Sequence, residues 1–163
     1  MSGINLLYPA DWQDVLFRLC LAIVLGGIIG WERETDRKPA GLRTHMLVSL
    51  GTALLVLSSI QTGMVQTTAD SLSRVIQGII TGVGFLGAGE IFSESRLGSG
   101  EVRVRGLTSA AAIWVSSALG IAAGCGLWQM GLFGAIATVI ILRGVKKLET
   151  RINRSRHRNP EDI

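Results

Sequence analysis

The stretch that decides the fold runs from residue 107 to residue 142 and reads LTSAAAIWVSSALGIAAGCGLWQMGLFGAIATVIIL. It holds 36 residues without one charged side chain, whereas a helix needs about 20 apolar residues to cross a bilayer once. The sequence Gly124-Cys125-Gly126 near its middle is typical of a turn. The stretch therefore predicts two membrane-spanning helices joined by a tight turn.

Three further apolar runs precede this stretch, at residues 15–31, 46–60 and 75–92. The whole chain has 163 residues, of which 17% are charged, and its mean hydropathy is +0.42. These values are typical of a protein whose apolar residues face lipid rather than water. We predict an all-α integral membrane protein with about five transmembrane helices in residues 1–142 and a basic tail in residues 143–163.

The basic residues predict the orientation of the five spans. Every lysine and arginine except Arg18 and Arg74 lies in residues 32–45, 93–106 or 143–163, which five spans place on one side of the membrane. Because basic loops stay on the cytoplasmic side, the N-terminus is predicted to be outside and the C-terminus in the cytoplasm. Anionic lipids are the expected partners of these charges, and nucleic acid is not.

The glycines of the third apolar run form two patterns. Gly82, Gly84 and Gly87 match the G-x-G-x-x-G nucleotide fingerprint, but they lie inside an apolar span with no strand before them, so we reject a nucleotide site. Spacings of four, at Gly26/Gly30 and Gly78/Gly82, predict close packing between helices. The alternative is that the third helix breaks between residues 78 and 89 and lines an ion or ligand pocket.

Carboxylates near the cytoplasmic membrane surface are the candidate ion ligands. Glu90 lies near the end of the third span, where it either marks an ion or proton site or pairs with an arginine at the interface. Glu32, Glu34 and Asp36 offer the oxygen ligands that Mg²⁺ prefers. An ordinary solvated loop with internal salt bridges explains the same three residues without a metal and is the preferred interpretation, with the metal site as the alternative.

Other polar residues flank the predicted spans. Asp14 and Arg18 are four residues apart, which predicts an ion pair at the outer end of the first span. His45 either titrates near neutral pH or fills the interface, with Thr44 as the predicted helix N-cap. No nucleophile with a matching base and no closed metal site can be assembled, so we predict a non-enzymatic protein without a cofactor, Mg²⁺ being the open case.

Four motifs in order resemble the MgtC/SapB family of bacterial inner-membrane proteins. They are Gly-Trp-Glu-Arg-Glu at residues 30–34, Lys-Pro-Ala-Gly-Leu-Arg-Thr-His at 38–45, Gly-Val-Gly-Phe-Leu-Gly-Ala-Gly at 82–89 and Val-Arg-Gly-Leu-Thr-Ser-Ala-Ala at 104–111, with Trp114. From these motifs and the charges near the membrane we take as candidate functional residues Glu32, Arg33, Arg43, Thr44, His45, Arg74, Gly82, Gly84, Phe85, Gly87, Gly89, Glu90, Arg105, Gly106, Thr108 and Trp114.

The resemblance implies a five-helix domain and a role in magnesium homeostasis, acid stress and, in pathogens, virulence. It implies a regulator of another membrane complex such as ATP synthase; the alternative is a magnesium or proton transporter, expected to be oligomeric, that uses Glu90 and the first loop. Longer members continue into an ACT-like domain, and any function that needs this domain is expected to be absent here or supplied by another protein. Glu90 also departs from the family pattern, which usually has an apolar or small residue there.

Overall fold

The computed structural model describes residues 9–67, 70–95 and 102–156. Within these ranges, five helical segments are long and apolar enough to cross a membrane: Trp12–Thr35, Leu42–Gln61, Ser71–Glu90, Leu107–Gly124 and Trp128–Val145. The predicted all-α fold with five spans is therefore confirmed. The elements are α1 (Trp12–Thr35), α2 (Leu42–Gln61), α3 (Met64–Thr67), α4 (Ser71–Glu90), β1 (Phe92–Ser95), β2 (Val102–Arg105), α5 (Leu107–Gly124) and α6 (Trp128–Arg156).

Three small elements were not predicted. The short helix α3 follows α2, and β1 pairs with β2 in an antiparallel hairpin in which Phe92 lies opposite Arg105. This hairpin connects α4 to α5. It lies in one of the predicted polar loops, where alternating residues such as those of Val102–Arg105 are typical of a strand.

The charge-free stretch divides where the glycines predicted it. Helix α5 ends at Gly124 and α6 begins at Trp128. Gly126 has a φ of 76°, a left-handed conformation that glycine adopts without steric cost. Cys125 lies in this turn, and burial raises the pKa of its thiol. Helix α6 then continues without a break into the basic segment as far as Arg156.

Helix α4 is continuous from Ser71 to Glu90. The alternative prediction, that its glycines break the helix and free backbone carbonyls, is wrong, because the helix keeps its own hydrogen bonds through this region. Only Ile79 and Val83 of this helix are buried. Helix α4 thus lies at the edge of the bundle, against α5 and α2.

Helix α2 begins at Leu42, with Gly41 as its N-cap. The prediction of Thr44 as the N-cap is wrong, because Thr44 already lies in the first turn and is exposed. The side chain of Glu34 caps α2 instead, because the backbone N–H of Leu42 donates to Glu34 Oε2 at 3.0 Å. Gly41 has no side chain, and a Cβ there would overlap the Glu34 carboxylate.

The bundle packs around α2, which lies between α1 and α5. Small residues bring the backbones together: a Cβ on Gly26 would overlap the backbone of His45, and a Cβ on Gly120 would overlap Ser49 and Thr52. Such close approach is the main source of helix association in lipid, where burial of apolar surface contributes little. Helix α6 covers α1 and α5, with Gly131 against Leu25.

Candidate functional site

Buried polar side chains extend between the helices from one end of the bundle toward its middle; we call that end, where α1 and α4 end and α2 and α5 begin, the basic end. Burial of polar groups in apolar surroundings is costly unless they are paired, so such a cluster is a candidate functional site. The buried polar residues of this cluster, each at most 5% exposed, are Glu32, Arg33, His45, Ser49, Thr52, Ser109, Ser116 and Ser117.

Arg33 connects the end of α1 to the start of α5. Its Nη2 donates to Ser109 Oγ at 3.0 Å, and its Nη1 lies 3.9 Å from Glu32 Oε2. Both charged residues are 3% exposed. Arg33 Nε and Glu32 Oε2 make no hydrogen bond within the described residues. The pair therefore carries buried charge that the surrounding side chains satisfy only in part.

His45 lies inside the bundle, between α2 and α5, and is fully buried. Its Nδ1 is hydrogen-bonded to Ser116 Oγ at 3.0 Å. His45 Nε2 and the nearby Ser49 Oγ have no hydrogen-bond partner among the described residues. His45 lies in the first turn of α2, so its position near the membrane surface stays a prediction, and its side chain faces a polar seam between α2 and α5.

The serines of this seam were missed by the sequence analysis. His45, Ser49 and Thr52 are spaced by four and three residues, and Ser109 and Ser116 are seven apart, so each set lies on one helical face. Thr52 Oγ1 donates to the Ser49 carbonyl at 3.0 Å and to the Ser117 carbonyl at 3.2 Å. The sequence signal that could have identified them is a row of small polar residues along one face of each helix.

Glu90 and Gly106 meet where the hairpin begins and ends. Gly106 has a φ of 91°, and a Cβ there would overlap the backbone carbonyl of Glu90. Glu90 Oε1 is buried and has no hydrogen-bond partner among the described residues. The position of Glu90 is therefore fixed by a backbone contact that only glycine permits.

The structure does not bring the predicted magnesium ligands together. Glu34 accepts the hydrogen bond from Leu42, Glu32 lies beside Arg33, and Glu90 ends a different helix. Within residues 9–67, 70–95 and 102–156, no group of three or more His, Cys, Asp or Glu side chains is placed to hold a metal ion. The candidate set Glu32, Glu34, Asp36 and Glu90 thus does not form one cluster.

The ion pair predicted at the opposite end is present. Arg18 Nη2 lies 2.6 Å from Asp14 Oδ2, and Nη1 donates to the Gly124 carbonyl at 3.0 Å. The arginine is buried although the aspartate is partly exposed. This arrangement ties α1 to the end of α5 and assigns Arg18 a structural role.

Most of the other candidate residues lie on the surface. Phe85 is 81% exposed and Trp114 is 50% exposed, as expected of side chains that face lipid. Gly87 contacts Ala110, whereas Gly84 and Gly89 have open space where a Cβ would be. The remaining exposed candidates are Arg43, Thr44, Arg74, Arg105 and Thr108.

An open groove of about 910 Å³ lies between α2 and α4, and we call it the α2–α4 groove. The two predicted glycine pairs have different surroundings: Gly26 and Gly30 contact α2, but Gly78 and Gly82 have no atom within 4 Å of an added Cβ. The face of Gly78 and Gly82 is therefore not a contact between the helices that the structure describes. The groove lining includes Leu47, Gly51, Leu55, Arg74, Gly78 and Gly82.

Five helices that can cross a membrane, together with a polar seam inside the bundle, define a multi-pass membrane protein. Residues 19–151 match the MgtC family, and the chain belongs to that family. No solved structure matches the chain.

Relatives differ in length from this chain. It is 47% identical over 143 residues to SrpB of Synechococcus elongatus, covering 85% of this chain and 79% of SrpB. It is 36% identical to the Escherichia coli K12 protein named "Putative magnesium transporter YhiD", covering 88% of this chain and 66% of that protein. It is 40% identical to MgtC of Salmonella typhimurium LT2, covering 78% of this chain and 49% of MgtC.

Proposed function

We propose that this chain is a non-enzymatic protein of the bacterial inner membrane that acts in magnesium homeostasis by regulating a larger membrane complex. Its N-terminus is outside and its basic end faces the cytoplasm, as the distribution of lysine and arginine predicts. The α2–α4 groove receives one transmembrane helix of that complex, for which ATP synthase is the first candidate. Family membership and the magnesium role in the name of YhiD support the magnesium assignment.

The groove is the observation that carries the docking part of the proposal. Most of its lining is apolar, and it includes Gly51, Gly78 and Gly82, where no atom of the described residues lies within 4 Å of an added Cβ. Helices in lipid associate where small residues let backbones approach, and the contacts of Gly26 and Gly120 show this chain using the same device internally. The face of Gly78 and Gly82 thus has the properties of a helix contact that another chain completes.

The positive charge of Arg74 predicts a further property of the partner helix. Arg74 lines the groove near the start of α4, at the end opposite the basic end. A basic side chain at the edge of an apolar groove favours a partner helix with a carboxylate at that depth. We therefore expect a transmembrane helix with small residues on its contact face and an acidic residue near the outer surface.

Leucine in the groove is expected to abolish function without unfolding the protein. Gly82→Leu fills space that a partner helix needs, whereas Gly84→Leu adds the same side chain to the same helix outside the groove, where nothing lies within 4 Å. The measurement is growth at limiting magnesium of a bacterial strain that lacks this gene and carries each variant. Full complementation by Gly82→Leu at normal protein level would contradict the groove as the docking surface.

Transport is the second candidate function. The observation in its favour is Glu90, whose Oε1 is buried at the end of α4 without a hydrogen-bond partner in the described part of the chain. Buried carboxylates within membrane proteins often mark ion or proton pathways. A transport route would have to include contributions from further copies of the chain, because five short helices enclose little space.

Magnesium uptake into sealed liposomes separates the two candidates. If Glu90 carries transport, purified wild-type protein takes up magnesium and Glu90→Gln loses nearly all of that uptake, because the amide bears no charge. Our proposed function expects no protein-dependent uptake from either form. The control is Asp11→Asn, which changes an exposed carboxylate before α1 that makes no capping hydrogen bond and is not a candidate ligand.

A further inference from the structure

A second cavity, of about 590 Å³, lies at the basic end between the loop after α1 and the first turn of α5; we call it the basic pocket. Four basic residues line it, and among the described residues its lining contains no acidic side chain. The lining residues are Arg33, Arg37, Lys38, Pro39, Val104, Arg105, Gly106, Leu107, Thr108 and Ser109.

The loop after α1 is folded so that its basic residues stay near Arg33. The backbone N–H of Lys38 donates to the Arg33 carbonyl at 3.0 Å, and that of Arg37 donates to the Glu34 carbonyl at 3.0 Å. Arg37 has a φ of 51°, a left-handed conformation that few non-glycine residues adopt. The backbone thus turns back on itself and holds two exposed cations at the mouth of the pocket.

The start of α5 contributes a second source of positive potential. This helix begins at Leu107 after Gly106, and no side chain caps its first turn. The first N–H groups of a helix have no partner within the helix, and its N-terminus carries a partial positive charge. Helix N-termini with this character bind phosphate groups in many proteins.

The side chain of Arg33 gives independent evidence for a ligand in the basic pocket. It lines the pocket and is 3% exposed, and its Nε has no hydrogen-bond partner in the described residues. Its ion-pair partner among the described residues, Glu32 Oε2, lies 3.9 Å from Nη1, which is long for a charge-assisted hydrogen bond. A buried guanidinium with an unused donor, beside three more cations, is suited to bind an anion.

We propose that the basic pocket binds a phosphate group. Arginine and lysine side chains, together with the backbone N–H groups of a helix start, match the charge and the several acceptor oxygens of a phosphate monoester or diester. The phosphate comes either from the head group of an anionic lipid or from a soluble phosphate compound. This site does not depend on the α2–α4 groove, which lies between different helices.

The test compares two double variants of the full-length protein. Arg37→Gln/Lys38→Gln removes two exposed charges from the pocket. The matched control, Arg43→Gln/Arg143→Gln, removes two exposed charges that lie outside the pocket. Both variants keep Arg33, so neither disturbs the buried contact with Ser109.

Binding is measured by titration at one fixed salt concentration with inorganic phosphate, ATP and a short-chain phosphatidylglycerol in detergent. We expect at least one probe to bind the wild-type protein, the pocket variant to bind that probe at least about tenfold more weakly, and the control to stay within about twofold. Binding of phosphate or ATP identifies a soluble ligand, whereas binding of phosphatidylglycerol alone identifies a lipid. In either case, a loss of affinity in the pocket variant and not in the control supports phosphate binding in the basic pocket.

Two results would overturn the proposal. The first is an equal loss of affinity in the pocket variant and the control, because general surface charge would then explain the binding. The second is the absence of binding of all three probes by folded wild-type protein. Size-exclusion chromatography of each variant shows whether it is folded, and Arg37→Lys/Lys38→Arg, which keeps both charges, is expected to restore binding.

Discussion

Replacing Gly120 with leucine is expected to prevent the bundle from folding, whereas Gly84→Leu is expected to fold normally. A Cβ on Gly120 would overlap both the Thr52 side chain and the Ser49 carbonyl of α2. Because the second contact is with backbone, no rotamer change relieves it. Overpacking typically costs about 1–3 kcal/mol, and a contact that must displace a whole helix belongs at the upper end of that range or above it.

The measurement is the recovered yield and thermal midpoint of each purified variant by size-exclusion chromatography in detergent. Gly84→Leu is the matched control because its Cβ has no neighbour within 4 Å. Gly120→Ala is expected to give a smaller loss than leucine, with the protein still recoverable. A Gly120→Leu protein with the wild-type midpoint would show that α2 and α5 do not pack as described.

Removing the buried Arg33 is expected to give the second large loss of stability. Arg33→Met leaves Glu32, which is 3% exposed, without its cation and leaves Ser109 Oγ without its donor. Breaking a buried ion pair by removing one partner costs about 3–5 kcal/mol, because the other charge stays buried and uncompensated. The measurement is the midpoint of unfolding in a denaturing detergent.

A double variant separates charge from packing. Glu32→Gln/Arg33→Met removes both charges and is expected to recover a large part of the lost stability, since no uncompensated charge remains. If the double variant is no more stable than Arg33→Met alone, the loss comes from the contact with Ser109 and from packing. An Arg33→Met protein as stable as wild type would contradict the buried pair itself.

The spans were predictable from sequence because hydropathy is a local property. A charge-free run in residues 107–142 must lie in lipid, and Gly126 marks the turn because it adopts a φ of 76°. The sequence does not show which helices pack against each other, because that depends on how each helix is rotated about its axis. Gly26/Gly30 and Gly78/Gly82 have the same spacing, yet one pair contacts α2 and the other faces open space.

The candidate site was predictable only in part for the same reason. The motif residues Glu32, Arg33 and His45 were identified, but their partners Ser109 and Ser116 lie 76 and 71 residues away in sequence. Thr44 has the residue type of an N-cap, yet Glu34 serves α2 from the preceding helix. Long-range contacts of this kind follow from the packing of α1, α2 and α5 rather than from any local pattern.

The polar seam and the α2–α4 groove meet at Thr52 of α2. Thr52 Oγ1 donates to the Ser117 carbonyl of α5, and Thr52 also lines the groove beside Leu55. A helix that enters the groove would therefore contact the same α2 that carries His45. This arrangement gives a physical route by which a docked partner and the buried polar residues influence each other.

Photo-crosslinking from the groove tests the central claim most directly. A photoreactive amino acid is placed at Gly82, and at Gly84 as the control on the same helix, in full-length protein in bacterial membranes. We predict that position 82 crosslinks to a transmembrane segment of another membrane protein, identified by mass spectrometry, and that the product forms again when that purified complex and this protein share liposomes. Crosslinks from position 82 to lipid alone, or only to a second copy of this chain, would contradict the proposed docking function.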